Sequence, residues 1–146
     1  NKARLWGVHL DFPKSTTQVT YNVTTADNTS NTYDLCLYTG SAGGTGTLAV
    51  HTGSTAGTTF APSTGPRTLS WTGGGGTFAA PQRMYVALTT SCTSSCAVIA
   101  GDNATAATFL SNAQISVASG GTCPATVTLP ADSWSYGSSV PTLGVE

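Results

Sequence analysis

Residues 68–89 carry the strongest structural signal in the chain, and they read TLSWTGGGGTFAAPQRMYVALT. Leu69 and Trp71 are two positions apart, so an extended chain turns both side chains to one face. The glycines at 73–76 can adopt positive φ, which lets the chain reverse and disfavours a helix. Residues 84–88 form a short apolar run behind Pro81, which is typical of a buried strand. The stretch therefore predicts a hairpin at the centre of an all-β core.

The same alternation of apolar and polar residues recurs elsewhere in the chain. It predicts strands over residues 5–12, 18–24, 33–38 and 47–51, with a glycine-rich turn joining the last two into a hairpin. We expect roughly eight or nine strands in one antiparallel β-sandwich, with a jelly-roll or immunoglobulin-like topology. The 146 residues suit a single domain over 1–146, and a start at Asn1 favours a mature form or a domain of a longer protein.

The composition is poor in charge. Only 8% of the residues are charged and the formal net charge is −1, so no basic patch can neutralise phosphates and we expect no nucleic-acid partner. No stretch approaches the roughly 20 apolar residues of a membrane span, so we expect no membrane insertion. Thr, Ser and Gly take the place of the missing charges, which suits strands and turns.

Four cysteines in a small, weakly charged chain suggest an oxidising, extracellular compartment. Cys92 and Cys96 are close enough in sequence for a local disulfide. A bridge between Cys36 and Cys123 follows only by elimination, and two buried free thiols are the alternative. Zinc is the other interpretation, but Cys36 and Cys123 lack partners at ligand spacing and neither histidine lies near a cysteine in sequence.

Candidate catalytic residues are sparse. His51 is isolated beside a turn, and no Gly-x-Ser-x-Gly segment supplies a serine that it could activate. A glycoside hydrolase would need two carboxylates, one of them with a pKa raised by burial. None of the aspartates lies in an apolar run that would bury it in this way: Asp11, Asp27, Asp34, Asp102 and Asp132. No general acid or nucleophile therefore stands out, and a hydrolase would need two acidic side chains, or a histidine and a nucleophile, converging in one cleft.

Two groups of residues are candidates for ligand binding. Calcium takes six to eight oxygen ligands, and one loop concentrates the oxygens of Asp27, Asn28, Asn31 and Asp34. Asx turns explain the same residues, so we expect no cofactor or metal, with calcium as the alternative. Aromatic rings can stack on sugars, and the candidates for such a ligand contact are Trp134, Tyr136 and Tyr38. Each of these could equally serve as a core residue.

Several segments resemble one kind of β-sandwich module. They are residues 15–23, 33–38 with the following glycine turn, 48–57, 67–71, 84–88, 124–130 and 141–144. The module is similar to those at the exposed ends of tailed-phage virion proteins (tail fibres, tips and appendages) and of bacterial surface proteins. Cys36 departs from this pattern, in which a small uncharged residue is expected.

The resemblance implies a non-enzymatic, extracellular structural or adhesion module on a virion or bacterial surface. Its partners would be other subunits of the assembly, commonly as a homotrimer, and a host glycan or surface protein acting as receptor. The alternative from another class is a carbohydrate-binding module attached to a secreted enzyme. Exposed aromatic residues aligned on one sheet would favour that alternative, whereas an apolar patch matching a neighbouring subunit would favour assembly.

Overall fold

A computed structural model describes residues 2–10, 13–79, 82–99, 101–102, 110–116, 120–129, 140–141 and 143–145, with side chains over 13–79, 84–99 and 120–129. The strands are β1 Lys2–Leu10, β2 Lys14–Thr16, β3 Gln18–Thr25, β4 Thr32–Thr39, β5 Thr45–His51, β6 Thr55–Ala56, β7 Gly65–Ser70, β8 Gly76–Phe78, β9 Gln82–Thr90, β10 Val98–Ile99, β11 Gly101–Asp102, β12 Leu110–Ser116, β13 Thr126–Thr128, β14 Val140–Pro141 and β15 Leu143–Val145. Helical structure in these parts is one α-turn, α1 Gly57–Phe60, and one 3₁₀ turn, Thr72–Gly74.

The prediction of an all-β fold with antiparallel sheets is confirmed. The larger sheet has the order β12-β1-β9-β4-β5-β13, with β6 also paired to β4. In the smaller sheet β3 pairs with β10, β15 and β7. The expected strand count was too low, because eight of the fifteen described strands have only two or three residues and show no alternation. A jelly-roll or immunoglobulin-like topology stays a prediction.

One predicted hairpin is confirmed and the other is wrong. β4 and β5 pair as expected, with Cys36 opposite His51. The two strands of the predicted hairpin do not pair: β7 joins β3 in the smaller sheet, whereas β9 lies between β1 and β4 in the larger one. The glycine run leads from β7 into the short strand β8, which pairs with β2. Gly75 has φ +97°, and a side chain there would collide with the carbonyl oxygen of Thr16.

The main core lies where the smaller sheet packs against one face of the larger one. Its buried side chains come mainly from β3, β4 and β9. Phe60 stacks between Tyr21 and Tyr33, with ring centroids 4.7 Å away on each side. Trp71 is buried in the same cluster, and its indole N–H donates to the hydroxyl of Thr16 at 3.0 Å. Leu69 packs against this cluster too, as the two-residue spacing predicted.

A second cluster covers the opposite face of the larger sheet. It contains Cys36, Tyr38, Tyr85, Ala87, Cys123, Val127 and Leu129. The last three belong to residues 120–129, which we call the closing segment. Because the smaller sheet covers one face of β4 and the closing segment covers the other, residues 33–38 are all buried. A polar side chain on β4 therefore faces protein on either side, and this positions the candidate site.

Candidate functional site

The candidate site centres on Asp34, a fully buried carboxylate in the otherwise apolar strand β4. The prediction that no aspartate lies in a burying apolar run is wrong, because the closing segment covers the face on which an alternating pattern would leave Asp34 exposed. A buried carboxylate is costly unless hydrogen bonds replace its water. The structure supplies them from two parts of the chain, the end of β5 and the closing segment.

Three donors converge on the Asp34 carboxylate. Oδ2 accepts from the backbone N–H of Cys123 and from Nδ1 of His51, both at 3.0 Å. Oδ1 accepts from the hydroxyl of Thr52 at 3.2 Å. The contact holds the imidazole ring of His51 in one orientation, with Nδ1 as the donor to an ionised carboxylate. The side chain of His51 is 29% exposed.

A disulfide lies directly beside this carboxylate. Cys36 and Cys123 are bonded, with their Cα atoms 6.4 Å apart, and both sulfurs contact the backbone carbonyl oxygen of Asp34, at 3.5 and 3.7 Å. One carboxylate oxygen of Asp34 and the two sulfurs all lie within 4.8 Å of one another. The two sulfurs and a carboxylate oxygen thus lie together, and the imidazole nitrogen of His51 contacts the same carboxylate.

The closing segment forms the outer wall of the site, and it is held at several points. β13 pairs with β5. The hydroxyl of Tyr38 donates to the carbonyl oxygen of Pro124 at 2.8 Å, and the hydroxyl of Thr32 donates to that of Gly120 at 3.2 Å. Together with the disulfide and the Asp34–Cys123 hydrogen bond, these contacts join the segment to β4 along most of that strand.

The site can orient an imidazole, but a hydrolytic mechanism needs more. An aspartate on Nδ1 is the arrangement that prepares a histidine to act as a general base through Nε2. Among the residues with described side chains, no hydroxyl or thiol forms a hydrogen bond with Nε2. The arrangement can therefore hold the imidazole in a fixed orientation for binding or hydrogen bonding.

A second buried carboxylate, Asp27, serves a loop on the other side of β4. Its oxygens accept from the backbone N–H and hydroxyl of Thr29, from the amide of Asn31 at 2.9 Å and from the hydroxyl of Tyr33 at 2.5 Å. The hydrogen bonds from Thr29, followed by the one from Tyr33, lower the pKa of Asp27 to about 2. Burial and the neighbouring carboxylate of Asp27 raise the pKa of Tyr33 to about 12.

The calcium candidates are not brought together. Asp27 contacts Tyr33, whereas Asp34 follows Tyr33 on the strand and packs on the opposite face of the sheet, so the two carboxylates share no hydrogen-bonding partner. Asn28 is exposed, and Asn31 is occupied with Asp27. The calcium hypothesis stays a prediction, without an assembled site behind it.

The aromatic candidates fare differently from one another. Tyr38 is fully buried under the closing segment, so the structure corrects the prediction that its ring could contact a ligand at the surface. Trp134 and Tyr136 lie outside the described residues. The predicted Cys92–Cys96 disulfide is present, and of the two alternatives left open for Cys36 and Cys123 the structure has the disulfide.

Sequence reasoning missed the meeting of His51 with Asp34 and Cys36. The signal was present in the β4–β5 hairpin, which places His51 directly opposite Cys36. A histidine remote from every cysteine in sequence is therefore a neighbour of one in space. For Cys123 the sequence offered only a pairing with Cys36 by elimination, because its position depends on a segment 87 residues further along the chain.

Fold and site together define a small all-β domain whose closing segment is secured by a disulfide and a buried carboxylate. Comparisons with protein-family models, with curated proteins and with solved structures find no match to this chain. Within the described residues, no helix combines the length and the hydropathy needed to cross a membrane.

Proposed function

We propose that this chain is a non-enzymatic, extracellular structural and adhesion module of a phage virion or bacterial surface assembly. The observation that carries the proposal is the fastening of the closing segment. Its strand pairing, its disulfide to Cys36 and its hydrogen bond to Asp34 all hold one segment onto the central strand β4. Redundant attachment of this kind suits a domain that must stay folded outside the cell, where disulfides persist.

The outer face of the smaller sheet supports the same proposal. Thr20, Asn22 and Thr24 alternate with the buried residues of β3, and Thr68 and Ser70 alternate with partly buried residues of β7. We call these five residues, of which Thr20 is half-buried and the others are exposed, the hydroxyl face. The hydroxyls of Thr20 and Thr68 are hydrogen-bonded across the two strands at 3.0 Å. The face is therefore polar and uncharged.

The chemistry of the hydroxyl face fits the expected partners. Hydroxyls and amides donate and accept hydrogen bonds, so they suit a host glycan or a polar protein surface acting as receptor. The same groups can pack against neighbouring subunits without burying a charge, which is the costly step in forming an interface. We propose a homotrimer, in which each copy contributes this face either to its neighbours or to the receptor.

The proposal is tested by the mass of the particle in solution, measured by light scattering with and without a panel of glycans. A trimer or larger assembly that ignores every glycan supports the structural role. A trimer that retains one glycan class supports the adhesive role as well. A monomer that retains a glycan overturns the assembly proposal and favours a carbohydrate-binding module attached to a secreted enzyme, and a monomer that binds nothing overturns both roles for this chain.

A charge on the hydroxyl face makes the test specific. Thr68→Lys places an ammonium group in the middle of the face, whereas Thr58→Lys places the same group on an exposed position of α1. If the face is the contact surface, Thr68→Lys lowers the mass or abolishes glycan retention and Thr58→Lys does neither. Equal behaviour of the two variants would remove the hydroxyl face from the proposal.

A further inference from the structure

Four side chains that can bind a metal converge from three segments of the chain. Asp34 and Cys36 come from β4, His51 from the end of β5 and Cys123 from the closing segment. The Asp34 carboxylate lies within 4.8 Å of both sulfurs and 3.0 Å from Nδ1 of His51. Among the residues whose side chains are described, Asp34, Cys36 and Cys123 form the one cluster of three or more such groups. His51 is not a member of that cluster and adjoins it through Asp34, and the Cys92–Cys96 pair lies outside it.

The geometry points to a zinc site that forms when the Cys36–Cys123 disulfide is reduced, with Cys36 Sγ, Cys123 Sγ, His51 Nδ1 and an Asp34 carboxylate oxygen as ligands. Two thiolates, one imidazole and one carboxylate are a donor set that tetrahedral Zn²⁺ accepts. Zinc bonds of about 2.0–2.3 Å put tetrahedral ligand atoms about 3.3–3.8 Å apart. Breaking the sulfur–sulfur bond lets the two sulfurs separate to that distance, while their backbone positions are kept by β4 and β13.

The surroundings already contain the outer contacts that such a site needs. The hydroxyl of Thr52 and the backbone N–H of Cys123 both donate to the Asp34 carboxylate, which fixes its orientation. Outer hydrogen bonds of this kind position the ligands of zinc sites and contribute to metal affinity. His51 is partly exposed, so a hydrated ion can reach the cluster from the side of β5.

The redox chemistry balances with a thiol or phosphine reductant. Two electrons and two protons convert the Cys36–Cys123 disulfide into two thiols. A thiol reductant supplies both and becomes its own disulfide, whereas a phosphine takes the oxygen of one water molecule to become the phosphine oxide and that water supplies the two protons. Zinc then displaces the two thiol protons, which leave to solvent, and binds the thiolates, while a proton on His51 Nδ1 moves through solvent to Nε2 so that Nδ1 can bind the ion. Cytosolic thiols of the glutathione class supply the same reduction in the cell that makes the protein.

Zinc at this position would hold the closing segment on β4 before the disulfide forms. One ion would link β4, β5 and the closing segment, the same three elements that Asp34 and the disulfide join in the oxidised protein. In an oxidising compartment a disulfide oxidant takes two electrons from the two thiolates and is reduced to its own two thiols, the Cys36–Cys123 bond forms, and the ion is released. The same residues would thus hold the closing segment on β4 through zinc in a reducing compartment and through the disulfide in an oxidising one. This inference does not depend on the proposed function.

The test uses the full chain carrying Cys92→Ser and Cys96→Ser, so that one cysteine pair remains. The protein is reduced with a water-soluble phosphine under nitrogen and titrated with Co²⁺, which reports tetrahedral sulfur coordination through its visible bands. Zinc affinity follows from displacement of Co²⁺ and from competition with a chelator. Circular dichroism with and without zinc monitors the fold, and the oxidised protein is titrated in parallel.

We expect one equivalent of tetrahedral Co²⁺ in the reduced protein, its displacement by Zn²⁺, and no such spectrum in the oxidised protein. Removal of an outer contact weakens zinc binding by about 10–100-fold. His51→Ala removes a ligand and should weaken it by more than that. The matched control is Thr47→Ala, an exposed change on the same strand β5, which should leave zinc affinity unchanged. Asp34→Asn replaces the proposed carboxylate ligand and provides a second test, measured with the same Co²⁺ spectrum.

Three results would overturn the inference. One is a reduced protein that shows no tetrahedral Co²⁺ spectrum, including a reduced protein that unfolds and does not regain its β-structure when zinc is added. Another is His51→Ala binding zinc as tightly as the parent. The third is oxidised protein binding the ion equally well, which would place the ligands elsewhere in the chain.

Discussion

Replacing Tyr33 by Phe removes a single hydroxyl that contacts Asp27, the backbone of Ala97 and the side chain of Thr90. The hydroxyl donates to Asp27 Oδ2 at 2.5 Å and accepts from the backbone N–H of Ala97 at 2.8 Å. A hydrogen bond to a charged group contributes about 1.5–3 kcal/mol, and leaving the half-buried amide of Ala97 unpaired costs about 1 kcal/mol more. We therefore expect Tyr33→Phe to lower the free energy of unfolding by about 3 kcal/mol, or the melting temperature by about 6–12 °C.

The chain offers a matched control in Tyr21→Phe. Tyr21 and Tyr33 stack on opposite sides of Phe60 at the same centroid distance of 4.7 Å, so the two substitutions preserve the same ring packing. The Tyr21 hydroxyl donates to one neutral acceptor, the carbonyl oxygen of Phe60, at 2.6 Å. Its removal should lower the free energy of unfolding by about 1 kcal/mol, with both variants measured by urea titration.

The acid limb of the stability profile gives a second readout. The pKa of Asp27 falls from 3.8 to about 2 on folding, so this carboxylate stabilises the native state fully above pH 4 and loses that contribution as the pH falls towards 2. Without the Tyr33 hydroxyl the folded-state pKa should rise towards 3.8. The destabilisation by Tyr33→Phe should accordingly shrink as the pH falls through this window. A destabilisation equal to that of Tyr21→Phe, or one independent of pH between 2 and 7, would refute the reasoning.

Three further outcomes follow from the same structure. Chain-entropy arguments give a stabilisation of about 4–5 kcal/mol for the Cys36–Cys123 bridge, at a sequence separation of 87, and of about 2 kcal/mol for Cys92–Cys96, at a separation of 4. The free energies of unfolding in urea of the two double serine variants should therefore differ by at least about 2 kcal/mol, and equal losses would contradict this model. Gly121→Ala should lower the stability measured in thermal melts by at least about 2 kcal/mol, because φ at this position is +79° and the new methyl group would collide with Thr32 of β4. At the adjacent Gly120 a methyl group faces open space, so Gly120→Ala should leave stability unchanged. Raising the pH above 10 should destabilise the fold, since Tyr33 ionises near its usual pKa of 10.0 when unfolded but only at about 12 when folded; a flat profile from pH 9 to 11.5 would contradict this.

Local pattern in the sequence predicted individual strands well and their partners poorly. Alternation over 18–24 and 33–38 located β3 and β4 to within a residue or two. The run at 73–76 correctly indicated a break, but a flexible linker can return the chain beside itself or carry it to another sheet, and nothing in its residues distinguishes the two. Pairing depends on long-range packing, which short-range periodicity does not encode.

The site shows the same limit. Asp34 alternates with Tyr33 and Leu35, so the pattern alone turns its side chain away from the main core and towards solvent. The carboxylate is buried because the closing segment, remote in sequence, covers that second face. The hairpin register could have placed His51 beside Cys36, but only a three-dimensional structure brings Cys123 to the same point.

The coverage of β4 by the closing segment also determines when the chain can complete its fold during synthesis. Until residue 129 has left the ribosome, the face that carries Cys36, Tyr85 and Ala87 has no cover and remains in contact with water. Ribosome-bound chains that end before the closing segment should therefore present an apolar sheet face to chaperones, and lengthening the chain past it should end that exposure.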